Sequence, residues 1–272
     1  MSASIPFVKM HGAGNDFVMV DGRDLDGHQL TRADVAGLCD RRTGVGADGL
    51  IILAEPVSPE ADFRMIYFNA DGGEAEMCGN GARCTVSFAH RIGRCGDSCL
   101  YDTFVGPQTG RVLADGQIEV SLPSWKDLAL GLEIQQTPWT EIHGCNTGVP
   151  HLVIPMADID DVDLPKWGAL LRYHERFAPA GTNVNWIAWD HDSGELLLRT
   201  YERGVEDETL ACGTGASAAA VVVCELGMAE SPVRVRTRGG DLLTVLVDRK
   251  QQTLRLCGPA VISFEGKATI DE

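Results

Sequence analysis

The run Cys-Gly-Asn-Gly-Ala that begins at Cys78 returns as Cys-Gly-Thr-Gly-Ala at Cys212, a step of 134 residues in a chain of 272. At the same step Tyr67 matches Tyr201, Glu74 matches Glu208 and Leu30 matches Leu164, and the apolar run from Gly49 matches the one from Asn183. The period is too long for a solenoid and close to half the chain. It reads as a duplicated domain, each copy carrying one cysteine ahead of one small-residue helix. Glycines follow both cysteines at the first and third positions and permit close backbone approaches that bulkier residues resist. Each cysteine should therefore sit just before a helix N-terminus, where unpaired N–H groups and the helix dipole favour negative charge. A thiolate forms more easily there, and a carboxylate can dock on the N–H groups of Gly79 and Asn80.

The rest of the chain fits two copies of one plan. Strands are expected over 7–10, 16–21, 50–54, 62–68, 101–103, 110–113 and 117–122, with helices over 31–39 and from Ala82 to about Arg91. Thr31 with Asp34 makes a box-like cap for the first helix. In the second half, strands are expected over 152–154, 183–189, 195–201, 233–237, 242–247 and 254–256, with helices over 165–174 and 217–226. Residues 124–138 read as the crossing segment. The fold class is α+β, with two similar domains, each an antiparallel sheet or barrel around a central helix and the active site in the cleft between them. The domains are placed at 1–125 and 126–272, with the C-terminal strand able to pack back on the first. Gly44-Val-Gly-Ala-Asp-Gly49 fits a dinucleotide-binding pattern, but a helix precedes it and a strand follows, the reverse of the context that binding needs.

Charge narrows the partners. A net charge of -16 argues against nucleic acid and anionic membrane surfaces. No apolar run approaches the length of a membrane span, and the first ten residues lack the apolar core of a signal peptide. The nine cysteines are odd in number and irregular in spacing, so a reducing cytoplasm is the simpler setting.

Four readings compete for the cysteines. Burial as inert side chains suits Cys39, Cys145, Cys224 and Cys257, but does not account for glycines around Cys78 and Cys212. Cys84, His90, Cys95 and Cys99 form a local cluster whose spacing is not that of a usual zinc site, so no metal is expected. Thiol–disulfide exchange lacks a Cys-x-x-Cys, although Cys78 and Cys212 can still meet and oxidise. The fourth reading is acid–base chemistry at carbon: one group removes an α-proton while its counterpart returns one to the opposite face. Two thiols from duplicated halves suit that task, and backbone N–H groups can hold the substrate carboxylate. On the residues alone, Arg203 and Glu202 also read as surface salt-bridge partners and His151 as a structural histidine.

His11-Gly-Ala-Gly-Asn15-Asp-Phe, Asn69-Ala-Asp-Gly-Gly-Glu, Met77-Cys-Gly-Asn-Gly-Ala-Arg-Cys, Pro150-His151, Asn183-Val-Asn, Tyr201-Glu-Arg-Gly and Ala211-Cys-Gly-Thr-Gly-Ala follow one another along the chain. As an ordered set they resemble diaminopimelate epimerase across nearly the full length. The resemblance implies cofactor-free interconversion of LL- and meso-2,6-diaminopimelate, for lysine and peptidoglycan-precursor synthesis, by a homodimer. It implies Cys78 and Cys212 as catalytic thiols, tuned by His151 and Glu202. Gly79, Asn80, Gly213 and Thr214 would hold the reacting end, and Asn15, Asn69, Asn183, Glu202 and Arg203 the rest of the substrate. Gly49 and Val149 stand where other members place Gln and Asn side chains, so neither can offer a side-chain hydrogen bond. Two alternatives remain. A proline racemase-like enzyme shares the paired cysteines but carries His where Asn80 stands. A binding protein on the same scaffold would have no use for cysteines at the helix mouths.

Overall fold

The computed structural model describes residues 3–75 and 78–270. Met77, which opens the first cysteine motif, lies outside them. The described chain forms two compact units. The first runs to Val120 and resumes at Gly258, and the second is Ser121–Cys257.

In the first unit the strands pair in the order Val261–Ile270, Ala3–Gly12, Asn15–Asp21, Gly49–Ala54, Phe63–Asn69, Ser98–Thr103, Gly106–Val112 and the strand that starts at Ile118. In the second the order is Lys126–Ala129, His143–Asn146, Pro150–Pro155, Asn183–Asp190, Glu195–Glu202, Val233–Arg236, Leu242–Asp248 and the strand that starts at Thr253. The two successions of pairings are the same. The place held by Lys126–Ala129 in the second unit is held in the first by the last strand of the chain.

Most neighbours are antiparallel, as expected, but each unit contains two parallel pairs. Parallel strands need a crossover, and here every crossover is a helix. Helix α1 (Arg32–Cys39) joins the first parallel pair of unit one and α2 (Gly79–Arg91) the second. Helices α3 (Leu164–Arg172) and α4 (Gly213–Glu225) do the same in unit two. The capping box expected at Thr31 and Asp34 is present at the start of α1.

Helix α4 reads Ala-Ala-Ala-Val-Val-Val in its middle and is buried from Gly213 to Cys224. A helix apolar all round must be covered all round, and strands of its own unit pack against it from His143–Asn146 through Leu242–Asp248. Helix α2 is buried likewise from Gly79 to Val86, against Ala3–Gly12, Asn15–Asp21 and Gly106–Val112. The shorter helices cover the other face of each sheet. Val35 and Leu38 of α1 join Val18, Leu50 and Ile52. Leu164 and Leu171 of α3 join Ile154, Val184 and Trp186.

Both central helices begin earlier than the sequence pattern suggested, at Gly79 and Gly213 rather than Ala82 and Ser217. Glycine is a poor helix former in isolation, but here a cysteine cap holds each first turn. Lys126–Ala129 and His143–Asn146 form strands in and beyond the stretch read as a crossing segment. None of the described helices is long and apolar enough to cross a membrane.

Candidate active site

In unit one the site is built on the first turn of α2. Cys78 is the N-cap, in extended conformation, and its Sγ accepts the backbone N–H of Gly81 at 3.4 Å. The same thiol donates to Asn15 Oδ1 at 3.4 Å, and Asn80 Nδ2 donates to that oxygen at 3.3 Å. The orientation of Asn80 follows from Arg83, one turn on, whose guanidinium donates to Asn80 Oδ1 at 2.9 Å. Arg83 is fully buried and also donates to the carbonyls of Gly79 and Pro259. Asn15 is fixed from its other end, where Nδ2 donates to Asp48 Oδ2 at 2.7 Å. Asp16, next in the chain, holds Arg41 and Lys9. Burial alone would push its carboxyl up, but hydrogen bonds from these two cations hold it well below the usual carboxylate range.

Unit one thus brings Asn15, Cys78, Gly79 and Asn80 together. Asn69 stands apart: it ends strand Phe63–Asn69, its side chain is exposed, and among the described residues no hydrogen bond ties it to this network.

Unit two repeats the cap. Cys212 is the N-cap of α4, and Gly215 N–H donates to its Sγ at 3.4 Å. Thr214 Oγ1 lies 3.5 Å from the same sulfur, and the Thr214 carbonyl accepts from Thr147 Oγ1 at 2.8 Å. Cys212 is buried where Cys78 is half-buried.

The polar wall of unit two rises from three neighbouring strands. His151 pairs in parallel register with Asn183, and the residue is 2 % exposed. Burial first, and then the positive charge of Arg203, push its pKa down to about 3, so the ring is neutral. Its Nδ1 faces Asn185 Nδ2 at 3.2 Å, and its buried Nε2 has no hydrogen-bond partner among the described residues. Asn183 uses its amide to brace the next loop: Oδ1 accepts Arg203 N–H at 2.8 Å, and Nδ2 donates to the Pro150 carbonyl at 2.9 Å. Glu202 accepts from Thr209 Oγ1 at 2.8 Å. Arg203 is half-buried, and its guanidinium makes no hydrogen bond or ion pair among the described residues. In the same unit Arg199 is paired with Glu208 and Arg172 with Glu206.

The diaminopimelate epimerase family model matches residues 7–122 and 145–263. The diaminopimelate epimerase of Aquifex aeolicus is 42% identical over 277 residues, covering 96% of each chain. That of Chlorobaculum tepidum is 41% identical over 262 residues, covering 96% of this chain and all of its own. The chain belongs to the diaminopimelate epimerase family. Its fold is shared more widely. A hydroxyproline epimerase from Agrobacterium vitis superposes with a TM-score of 0.76 at 16% identity, over 99% of this chain and 93% of its own. A phenazine biosynthesis protein of the PhzF family from Bacillus anthracis gives 0.74 at 18%, over 98% and 100%. At such identities the likeness is one of fold.

As a member of the diaminopimelate epimerase family the chain is an amino-acid isomerase. Several residues around the cysteines carry no signal in the sequence. Asp48 lies inside the Gly-x-Gly-x-x-Gly run and supplies the carboxylate that orients Asn15. Thr147, Asn185 and Thr200 read as turn or strand residues, yet all are buried and bonded around His151 and the Cys212 turn. Against the internal repeat Thr147, Asn185 and Thr200 stand where the first half has Ala13, Ile51 and Ile66, and Asn185 also closes the Asn183-Val-Asn run. The glycine at 49 has a local cause: a Cβ there would lie 2.5 Å from the Phe68 carbonyl and 2.7 Å from the Tyr67 ring. Among the described residues no three His, Cys, Asp or Glu side chains gather as a metal site.

Proposed function

We propose that this chain interconverts LL- and meso-diaminopimelate by a two-base exchange, with Cys78 and Cys212 each serving one face of the α-carbon. The observation that carries the reading is the pair of N-cap cysteines, one on each buried helix, with each sulfur on the N–H of the third helical residue, Gly81 or Gly215. One thiolate takes the α-proton and the other thiol returns a proton from the opposite side. The developing negative charge then rests on a carboxylate held by the N–H groups of Gly79, Asn80, Gly213 and Thr214, where helix N-termini favour it.

Arg203 suits the distal carboxylate. Among the described residues its guanidinium has no hydrogen-bond or ion-pair partner, and an arginine fork matches a carboxylate through two parallel hydrogen bonds. Asn15, Asn69, Asn183 and Glu202 serve the remaining polar groups of the substrate, and His151 and Glu202 tune the thiols. We further propose that the chain works as a homodimer in the cytoplasm. The nine cysteines are odd in number and lack the regular spacing of a disulfide framework, which suits a reducing compartment.

Incubation with LL-diaminopimelate in deuterated water tests the reading. Deuterium should enter at one α-carbon as the meso isomer forms. Exchange of free proline instead would support a racemase of the proline type, and no exchange with either would leave a binding protein.

A further inference from the structure

We propose that Asn185 is a positioning residue for this reaction: its side-chain amide holds the His151 imidazole in the tautomer that carries its proton on Nε2. The proposal rests on the reading above, in which His151 belongs to the active site.

Asn185 sits in the middle of strand Asn183–Asp190 and is fully buried. Residues two apart on a strand share a face. Asn183 and Asn185 therefore face the same side, and Asn183 stands beside His151 in the parallel register. Asn185 Nδ2 donates to the Leu152 carbonyl at 2.7 Å and lies 3.2 Å from His151 Nδ1. Its Oδ1 accepts from Thr200 Oγ1 at 2.9 Å, Thr200 being the residue directly opposite on the antiparallel neighbour.

The Leu152 carbonyl decides which way the amide points. A backbone carbonyl can only accept, so the amide end facing it at 2.7 Å must be the NH2 group. A flipped amide would set two acceptors against each other in a buried site, leaving both unsatisfied. The NH2 group has two hydrogens. One goes to Leu152 and the other faces His151 Nδ1. That nitrogen must then present its lone pair, and in a neutral imidazole the proton resides on Nε2. Nε2 has no partner among the described residues although it is buried. A buried N–H without an acceptor is costly and rare, and a substrate anion or thiolate would satisfy it.

Asn185 also touches the turn that holds the thiol. A Cβ at Gly215 would come within 2.4 Å of Asn185 Oδ1, so the amide packs directly on the residue whose N–H supports Cys212 Sγ. One side chain therefore braces both the imidazole and the cysteine turn, within one unit of the fold.

The test is the tautomer itself, read by two-bond 15N–1H correlation on protein labelled at histidine, with His151 assigned by its loss in His151→Gln. The wild type should show Nδ1 bare and Nε2 protonated. A protonated Nδ1 in the wild type overturns the proposal without any variant. Asn185→Asp, which replaces the donor with an acceptor, should move the proton to Nδ1. It should also lower kcat about 10- to 100-fold, the range for losing the outer partner of a functional imidazole, with a smaller change in KM. Asn185→Ser, too short to reach the ring, should populate both tautomers and lower kcat in the same sense. It serves as the second variant if Asn185→Asp does not fold. A moved tautomer with wild-type kcat shows that the proton position does not matter and overturns the proposal. Full activity in His151→Gln overturns it by another route, by removing His151 from the reaction. If the wild type exchanges no α-deuterium, the reading of the reaction fails, while the spectrum still decides the tautomer.

Discussion

The Sγ of Cys212 accepts the backbone N–H of Gly215 at 3.4 Å, and Cys78 makes the same bond to Gly81 at the same distance. Helix caps favour Ser, Thr, Asp and Asn, and sulfur is a weak acceptor. As a structural device a cysteine cap is therefore inferior to serine. Its presence at both helix mouths points to reactivity.

Cys78→Ser and Cys212→Ser should accordingly keep their stability, with unfolding free energies within about 1 kcal/mol of wild type, while losing epimerisation. Each serine variant should still eliminate from a substrate bearing a β leaving group, where one base suffices. It should prefer the stereoisomer that faces its intact thiol, so the preference reverses between the two variants. Denaturant titration and chiral product analysis read both outcomes. The same stereoisomer favoured by both would mean that one thiol serves both faces.

The two capping glycines differ in what surrounds them. A Cβ at Gly215 would lie 2.4 Å from Asn185 Oδ1 and 3.2 Å from Cys212 Sγ. At Gly81 the nearest atom is the flexible end of Ile51, at 2.9 Å. Gly215→Ala should therefore destabilise by roughly 1–3 kcal/mol, the usual cost of overpacking, and impair kcat. Gly81→Ala should do less of both. Midpoints of urea unfolding measured side by side check the order, and a reversed order would remove the packing explanation.

Arg203→Met should weaken binding of diaminopimelate by about 2 kcal/mol or more, the scale for losing a charge-assisted pair. A substrate analogue lacking the distal carboxylate should be little affected. Calorimetric titration with both ligands distinguishes them. Equal losses for the two would place Arg203 elsewhere in the site.

His151 makes a prediction about acid. Burial and Arg203 push its folded pKa down to about 3, from an unfolded value near 6.5. Between these values the unfolded chain binds a proton that the folded chain does not. Stability from this residue is thus fully present above about 6.5 and is lost as pH falls toward 3, by up to about 1.4 kcal/mol per pH unit. Carboxylates with depressed pKa values, such as Asp16, also lose stability in acid, so the informative quantity is a difference. The stability gap between wild type and His151→Gln should shift in favour of the variant as pH falls from 6.5 to 4. A gap independent of pH would show that His151 can be protonated in place.

What could be read from the chain alone was what repeats or acts locally. The step from Cys78 to Cys212, the glycines beside each cysteine and the apolar run of α4 depend on neighbours in sequence, and they led to duplicated halves with a cysteine at each helix mouth. The strand partners did not show. Val261–Ile270 is largely exposed and weakly patterned, and nothing local says that it pairs with Ala3–Gly12, at the opposite end of the chain. Nor does a strand sequence say whether its neighbour runs parallel; that follows from where the intervening helix returns the chain. Asn185 is the sharpest case. Between Val184 and Trp186 it is one polar residue in an apolar strand, and its role depends on Leu152, His151, Thr200 and Gly215, brought to it from three other segments. Sequence encodes propensity and pattern over a few residues, whereas the direction of a buried hydrogen bond is decided only when distant backbones close around it.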